Sequence, residues 1–565
     1  MKNLVISILI FNLSIVQILF ARFPSAVGYN GAVSSSNEYA TQVGIDILEK
    51  GGNAIDAAIG VGFALAVVHP GAGNIGGGGF MVIRTADGEV TTIDFRETAP
   101  IKANRDMFLD EEGNVILGKS WSTSWATGVP GSVAGFGMVH EKFGSLSWKK
   151  IVKPSVKLAK KGFDLDYLNM SYFNSEYYKN YLSADPITKE IFTRKNGFKV
   201  GDKFIQKDLG KTLSRIACKG PQEFYTGKTA ELIVVCMNRT DGLITMEDLK
   251  NYSPIERKPI SFDYRDYKIH SMPPASSGGI AVAGILNQLE NVKLSEINYH
   301  SAEHIHLVSE AERRVYADRS HFLGDMDFIN VPIDTLISQD YSNSRWSSVD
   351  SNFASISNEI SYSNIPFDIN ESEETTHYSV VDKDGNAVSV TTTVNGWFGN
   401  GITVDGAGFL LNNEMDDFSA KPGVPNAYGL VGAEANSIQS GKRMLSSMTP
   451  TIVENPNGEL FLVVGSPGGS TIITTVAQII MNVIDFGMEI EDAVNSPRFH
   501  HQWLPDIIQF ESSGFSIETL NALSIMGHQH KFRRSIGEAN CIMKLEDGLI
   551  QASSDSRRGA SAKAY

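Results

Sequence analysis

Apolar and polar positions alternate in ways that mark out the elements before any chemistry is considered. Ser34-Ser35-Ser36-Asn37 can cap a helix with Val43, Ile47 and Leu48 on one side, ending at Gly51-Gly52. Asn53 can cap a second, Ala54–Val68, which is apolar on nearly every face and must therefore be buried. Residues 80–84 and 90–95 read as the strands of a hairpin around Ala86-Asp87-Gly88-Glu89, delivering Arg96 at the end. Six lysines between Lys149 and Lys161, interleaved with Ile151, Val152, Val156 and Leu158, have the spacing of an amphipathic helix with a solvated face, not of a nucleic-acid patch. His300 and His304 stand one turn apart and are followed by His306, Glu310, Glu312, Arg313 and Arg314. The order is not that of a His-Glu-x-x-His site, so the expectation is a charged, partly exposed helix without a metal.

From Ser338 to Glu374 the composition turns to Ser, Asn, Asp and Glu, which predicts an exposed, mobile linker. A strand pair follows, residues 378–381 and 387–395. A three-residue loop Lys383-Asp384-Gly385 would pair residues whose numbers sum to 768, setting Thr375 opposite Thr393 with Asn395 further along the same face; a two-residue Asp384-Gly385 loop would set Thr375 opposite Val394 instead. Thr391, Thr393 and Asn395 then form a polar stripe, and Val388, Val390 and Val394 the other face. Residues 459–464 read as a buried strand. After Gly465-Ser466-Pro467-Gly468-Gly469-Ser470 comes a helix with the stripe Ile472, Ile473, Val476, Ile480 and Val483, which Ser470 can cap and Gly487 end.

Composition narrows the class. The 565 residues carry a formal charge of -15, against a general nucleic-acid binder. Residues 3–21 are uncharged, largely apolar and follow Lys2, as in a secretory signal peptide removed near Ala21 or Ala26; the competing reading is an uncleaved anchor. No later apolar run is long enough to span a bilayer, so no stable membrane insertion is expected after leader removal, and the location is periplasmic or secreted. Cys218, Cys236 and Cys541 are too few for a disulfide framework and are expected to be buried free thiols.

Chemistry concentrates at Glu374-Thr375-Thr376-His377. If the Glu374-Thr375 bond is cut, Thr375 becomes a new N-terminus whose α-amine can serve its own hydroxyl as base. Gly468 and Gly469 precede a helix N-terminus, where backbone N–H groups can hold an oxyanion; the plainer reading is a tight turn. The glycine-dense stretch 70–79 lacks the Gly-Lys-Ser/Thr of a phosphate loop and leads into a strand, which favours close backbone packing beside an active site.

Six motifs, in order, carry a resemblance: Asp94-Phe95-Arg96-Glu97, residues 272–279 (Met-Pro-Pro-Ala-Ser-Ser-Gly-Gly), residues 375–380 (Thr-Thr-His-Tyr-Ser-Val), residues 411–418 (Leu-Asn-Asn-Glu-Met-Asp-Asp-Phe), Leu445-Ser446-Ser447-Met448, and residues 465–470. Together they resemble the γ-glutamyltransferases, self-cleaving N-terminal nucleophile (Ntn) hydrolases also called glutathione hydrolases. The resemblance implies an α+β fold, a four-layer αββα sandwich, built from a large subunit (22–374) and a small subunit (375–565) that pair as a heterodimer from one precursor, with no cofactor and no metal. It implies Thr375 as nucleophile, Thr393 as its hydrogen-bonding partner, and Gly468 and Gly469 as the oxyanion hole. It assigns the donor's α-carboxylate to Arg96, Ser446 and Ser447, and its α-ammonium to Asn395, Glu414 and Asp417. Glutathione and other γ-glutamyl compounds are the implied donors, with water or an amino-acid or peptide amine as acceptor. Residues 421–432 resemble a lid loop in which Tyr428 walls the pocket, a surface loop being the alternative. His377 is expected to be structural. Two other readings are an acylase for glutaryl-type β-lactam side chains, whose donor lacks the ammonium, and an exported binding protein whose chemistry has been lost.

Overall fold

The computed structural model of the chain describes residues 25–360, 375–424, 426 and 429–565; the leader, the carbonyl side of the Glu374-Thr375 bond and Tyr428 lie outside the described residues. Local sequence explains most elements. Asn37 caps helix Glu38–Glu49, and Asn53 with Asp56 forms a reciprocal capping box for Ala54–Val68, all of whose residues are buried; one such cap is worth about 1 kcal/mol. Helix Trp148–Lys161 buries Ile151, Val152 and Ala159 and turns its lysines outward.

Two seven-stranded antiparallel sheets form the centre. The first runs in the order Ser561–Ala564, Gly31–Ser35, Thr376–Asp382, Ala387–Thr393, Gly78–Arg84, Val90–Asp94, Ile255–Arg257. The second runs Ala26–Gly28, Ile550–Ser554, Asn540–Lys544, Leu460–Val464, Thr451–Glu454, Tyr267–Ser271, Ile260–Tyr264. Val82, Val381, Ile452, Val463 and Ile542 fill the space between the sheets. The outer face of the first packs Tyr378, Val380, Val388 and Val390 against the helix layer that contains Ala54–Val68. Helices Gly278–Leu289, Ala302–Phe322 and Thr471–Ile484 cover the outer face of the second. Helix, sheet, sheet, helix is the expected αββα order. Both sheets interleave strands from before and after Thr375, so scission there would leave two chains sharing one core.

Four expectations need correction. Helix Ala302–Phe322 is not partly exposed: every residue from His304 to Ser320 is buried, including Glu310, Glu312, Arg313 and Arg314. Several of its charges are paired, Glu310 with both Arg313 and Arg314 and Asp318 with Arg345, whereas Glu312 accepts from the His501 N–H and burial raises its pKa well above the carboxylate range. The segment after Ser338 is not all linker. Gln339–Trp346 is helical, and Ser357, fully buried, accepts a hydrogen bond from Arg313. Ser470 occupies the N-cap position without a side-chain capping bond; Thr471 Oγ1 instead donates to the Gly468 carbonyl. Cys236 and Cys541 are buried free thiols as expected, but Cys218, on the outer side of helix Lys207–Lys219, is exposed.

Candidate active site

The hairpin register settles where Thr375 lies. Gly385 adopts φ 91° in the turn, and the Asp382 carboxylate accepts from the N–H groups of Asp384 and Asn386 at 3.0 Å, closing the three-residue loop. Thr376 pairs with Thr392 and His377 with Thr391, so the numbers sum to 768 and Thr375 falls opposite Thr393. The alternative that faced it with Val394 is excluded. Odd-numbered residues of both strands point toward the second sheet. There Ser379 donates to the Asn540 carbonyl at 2.8 Å, while Ser389 donates to Val464 O at 3.1 Å and accepts from Thr451 N–H at 3.0 Å. His377, wholly buried, bridges Thr391 Oγ1 (2.9 Å) and Ser379 Oγ (3.1 Å), and burial drives its pKa down to about 3. A neutral imidazole spent on two hydroxyls fits the expected structural role.

Glycines bring the flanking backbone close. A Cβ at Gly76 would lie 2.1 Å from Leu410 O, and one at Gly77 would lie 2.0 Å from Thr393 O. The stretch 70–79 is thus a packing element beside the site, as expected. Asn412 fastens it to the next wall, donating at 2.8 Å to both Gly76 O and Gly128 O and accepting from Glu414 N–H.

Arg96 is wholly buried. The Asp94 carboxylate accepts from its backbone N–H at 3.0 Å, and its Nε donates to Met444 O at 3.2 Å. Its two terminal nitrogens reach Glu414 and Asp417, and Glu97 lies 3.6 Å away. Burial works against the guanidinium charge, but these three carboxylates outweigh it and raise the Arg96 pKa. Burial also raises the acids, Glu97 to about 7 and Glu414 well above the carboxylate range, with Arg96 opposing. The two carboxylates assigned to an ammonium and the arginine assigned to a carboxylate therefore form one alternating cluster.

The opposite wall is held by the 272–279 motif. Ser277 donates through N–H and Oγ to Ser446 O at 2.8 and 2.7 Å, and Ser276 Oγ donates to Met448 O at 2.6 Å. Arg319 completes it, donating to Ser277 Oγ (2.9 Å) and Ser447 Oγ (3.1 Å). Gly468 and Gly469 have φ of 138° and 53°, conformations that an L side chain resists, and the turn leads directly into helix Thr471–Ile484.

One pocket collects these groups, lined by Thr375, Thr393, Asn395 and Gly469 together with Arg96, Glu414, Asp417, Ser446 and Ser447. Gly468 lies behind Gly469 and does not line it. Sequence reasoning missed Arg319, which does, and gave no role to Glu97. A signal for Arg319 existed: residues 310–319 place charges on every face of a helix, which an exposed amphipathic helix would not do. The histidines separate. His306 Nδ1 is 2.8 Å from His528 Nε2 and near Glu310, but Glu310 is committed to two arginines whose charges oppose a cation.

Two stacked antiparallel sheets between helix layers, with a threonine at the head of a central strand facing a glycine turn and a charged cluster, define an Ntn hydrolase. The same fold is found in cephalosporin acylase from Bacillus halodurans (TM-score 0.83, 23% identity, 97% of this chain and 98% of that one). The chain belongs to the γ-glutamyltranspeptidase family, whose model matches residues 40–565. It is 50% identical over 532 residues to the glutathione hydrolase proenzyme of Escherichia coli K12, covering 93% of this chain and 90% of the relative. A solved chain of Helicobacter pylori γ-glutamyltranspeptidase is 44% identical with a TM-score of 0.56, over 57% of this chain and 92% of its own length.

Proposed function

We propose that the chain is a proenzyme that cuts itself between Glu374 and Thr375, and that Thr375 then takes γ-glutamyl groups from glutathione and related amides and passes them to water or to an amino-acid or peptide amine. The observation that carries this reading is the content of one pocket, whose lining brings Thr375 together with a buried array of Arg96, Glu414 and Asp417. A γ-glutamyl group is a zwitterion at one end and an amide at the other. Its carboxylate extends the array opposite Arg96, with the Ser446 and Ser447 hydroxyls completing that subsite. Its ammonium extends it opposite Glu414 and Asp417, beside Asn395. That leaves the scissile carbonyl between Thr375 and the Gly469 N–H, with Thr393 beside the nucleophile. A glutaryl donor has no ammonium to place beside Glu414 and Asp417, so two buried carboxylates would share Arg96 alone, which disfavours the acylase reading.

In maturation Thr375 Oγ attacks the Glu374 carbonyl, the C–N bond breaks so that an ester forms and the Thr375 amine is freed, and water hydrolyses that ester to leave a Glu374 carboxylate and the Thr375 hydroxyl. In turnover the same oxygen attacks the γ-amide, and the resulting ester is resolved by water or an amine. The H. pylori chain that matches spans little more than half of this one, as a separate large subunit would. The leader would carry the precursor to the periplasm or the medium, and among the described residues no helix is long and apolar enough to cross a membrane. N-terminal sequencing of the mature small chain, with rates on γ-glutamyl and glutaryl anilides, tests the reading. A chain beginning at Thr375 and a preference for γ-glutamyl are expected; an uncut protein, or a preference for glutaryl, would overturn it.

A further inference from the structure

Two arginines line the donor pocket, and their charges are compensated differently. Arg96 spends Nε on Met444 O and its two terminal nitrogens on Glu414 and Asp417, with Glu97 close by. A guanidinium shared among three carboxylates has little charge left for a further anion. Arg319 is also buried, yet among the described residues no carboxylate lies within ion-pair distance of it, and the adjacent Asp318 is turned to Arg345 instead. Its Nε and Nη2 donate to hydroxyls, Ser277 Oγ at 2.9 Å and Ser447 Oγ at 3.1 Å. Burial pulls its pKa below the ordinary guanidinium value, with Tyr316 and Asp417 opposing. A buried cation held by neutral partners is costly until an anion joins it.

Helix Ala302–Phe322 touches the site twice. Tyr316 donates to the Ser470 carbonyl in the glycine turn, and Arg319, three residues on and so on the same face, reaches Ser447. One rigid element thus sets the glycine turn and the serine wall relative to each other. Ser277 anchors Arg319 from outside the pocket while donating to Ser446 O. Because Ser447 Oγ accepts from Arg319, its own proton is left to be given to a ligand. A hydroxyl oriented by a buried cation, with that cation beside it, suits a carboxylate.

We propose that Arg319 is the second cation of the donor site, a positioning residue that turns the Ser447 hydroxyl toward the donor's α-carboxylate and supplies positive charge that Arg96 has already spent on its own carboxylates. The inference rests on the γ-glutamyl-transfer reading above and adds to it a residue outside the motifs that mark the family. A donor entering the pocket brings the carboxylate that Arg319 lacks. Donor affinity should therefore depend on Arg319 more than the chemistry at Thr375 does.

The test uses the mature enzyme and its Arg319→Gln and Arg319→Lys variants. Arg319→Gln should raise KM for a γ-glutamyl anilide about tenfold while kcat falls less than about threefold, and Arg319→Lys, which keeps the charge, should recover most of the lost affinity. As a competitive inhibitor, glutamate should weaken by a similar factor in Arg319→Gln, and isoglutamine, which has a neutral amide in place of the α-carboxylate, far less. If Arg319→Gln fails to mature, Ser277→Ala, which removes the other anchor of Arg319, carries the same comparison with an expected rise in KM of about threefold. An unchanged KM, a loss confined to kcat, or equal weakening of glutamate and isoglutamine would overturn the proposal. Failure of the parent enzyme to hydrolyse any γ-glutamyl anilide would instead overturn the functional reading beneath it.

Discussion

The hairpin that carries Thr375 has two faces built from the same two strands, and their contrast explains how the residue proposed as nucleophile is held in a stable core. Tyr378, Val380, Val388 and Val390 on one face are buried in apolar contact with the helix layer. His377, Ser379, Ser389 and Thr391 on the other are equally buried but hydrogen-bonded, to one another or across to the second sheet. Burial without specific partners suits the first face, because dispersion and the hydrophobic effect are not directional. The second must satisfy each polar group, and in doing so it fixes the distance between the sheets at the end where the pocket opens. One face contributes stability, while the other contributes position.

That division can be broken or sharpened experimentally. Thr375→Ala is expected to have the largest effect, an uncut precursor with activity lowered by more than about 10³-fold. It should fold normally, so a large fall in Tm would contradict the division. Val390→Ala should do the reverse, costing about 2 kcal/mol in denaturant unfolding while sparing kcat in the folded fraction. A pH comparison probes His377, whose folded pKa of about 3 lies below its ordinary 6.5. The unfolded chain takes up a proton below pH 6.5 that the folded imidazole refuses, so this histidine's contribution is present above 6.5 and lost as pH falls toward 3. His377→Gln should therefore lose less stability than the parent between pH 7 and 5, by about 1–2 kcal/mol. An unchanged slope would mean that the imidazole takes up its proton in the folded state. Ser389→Ala should show the smallest effect, about 1 kcal/mol, because it strips the acceptor from Thr451 N–H and leaves the apolar face untouched.

Two helices show what could be read in advance. Ala54–Val68 is apolar on all sides, and burial followed directly from its composition. Ala302–Phe322 is as deeply buried but charged, and composition pointed the wrong way. Its polar groups find partners far along the chain: Arg319 donates to the Ser447 hydroxyl, 128 residues on, and Arg313 is neutralised partly by Asp506, 193 residues on. The hairpin register was legible because a three-residue turn decides it locally. The wall opposite Arg96 was not, because Ser277 and Ser446 meet across 169 residues of chain.

By itself the sequence determined the Asn37 and Asn53 caps, the strand periods, the turn that sets Thr375 opposite Thr393, and the motifs that mark the family. These rest on neighbours within a few positions, or on motifs short enough to recognise. The tertiary structure alone decided that Arg96 lies between Glu414 and Asp417, more than 300 residues away, and that Arg319 belongs to the wall. Charge pairing and cavity shape depend on which distant surfaces the two sheets bring together, and no local pattern encodes that.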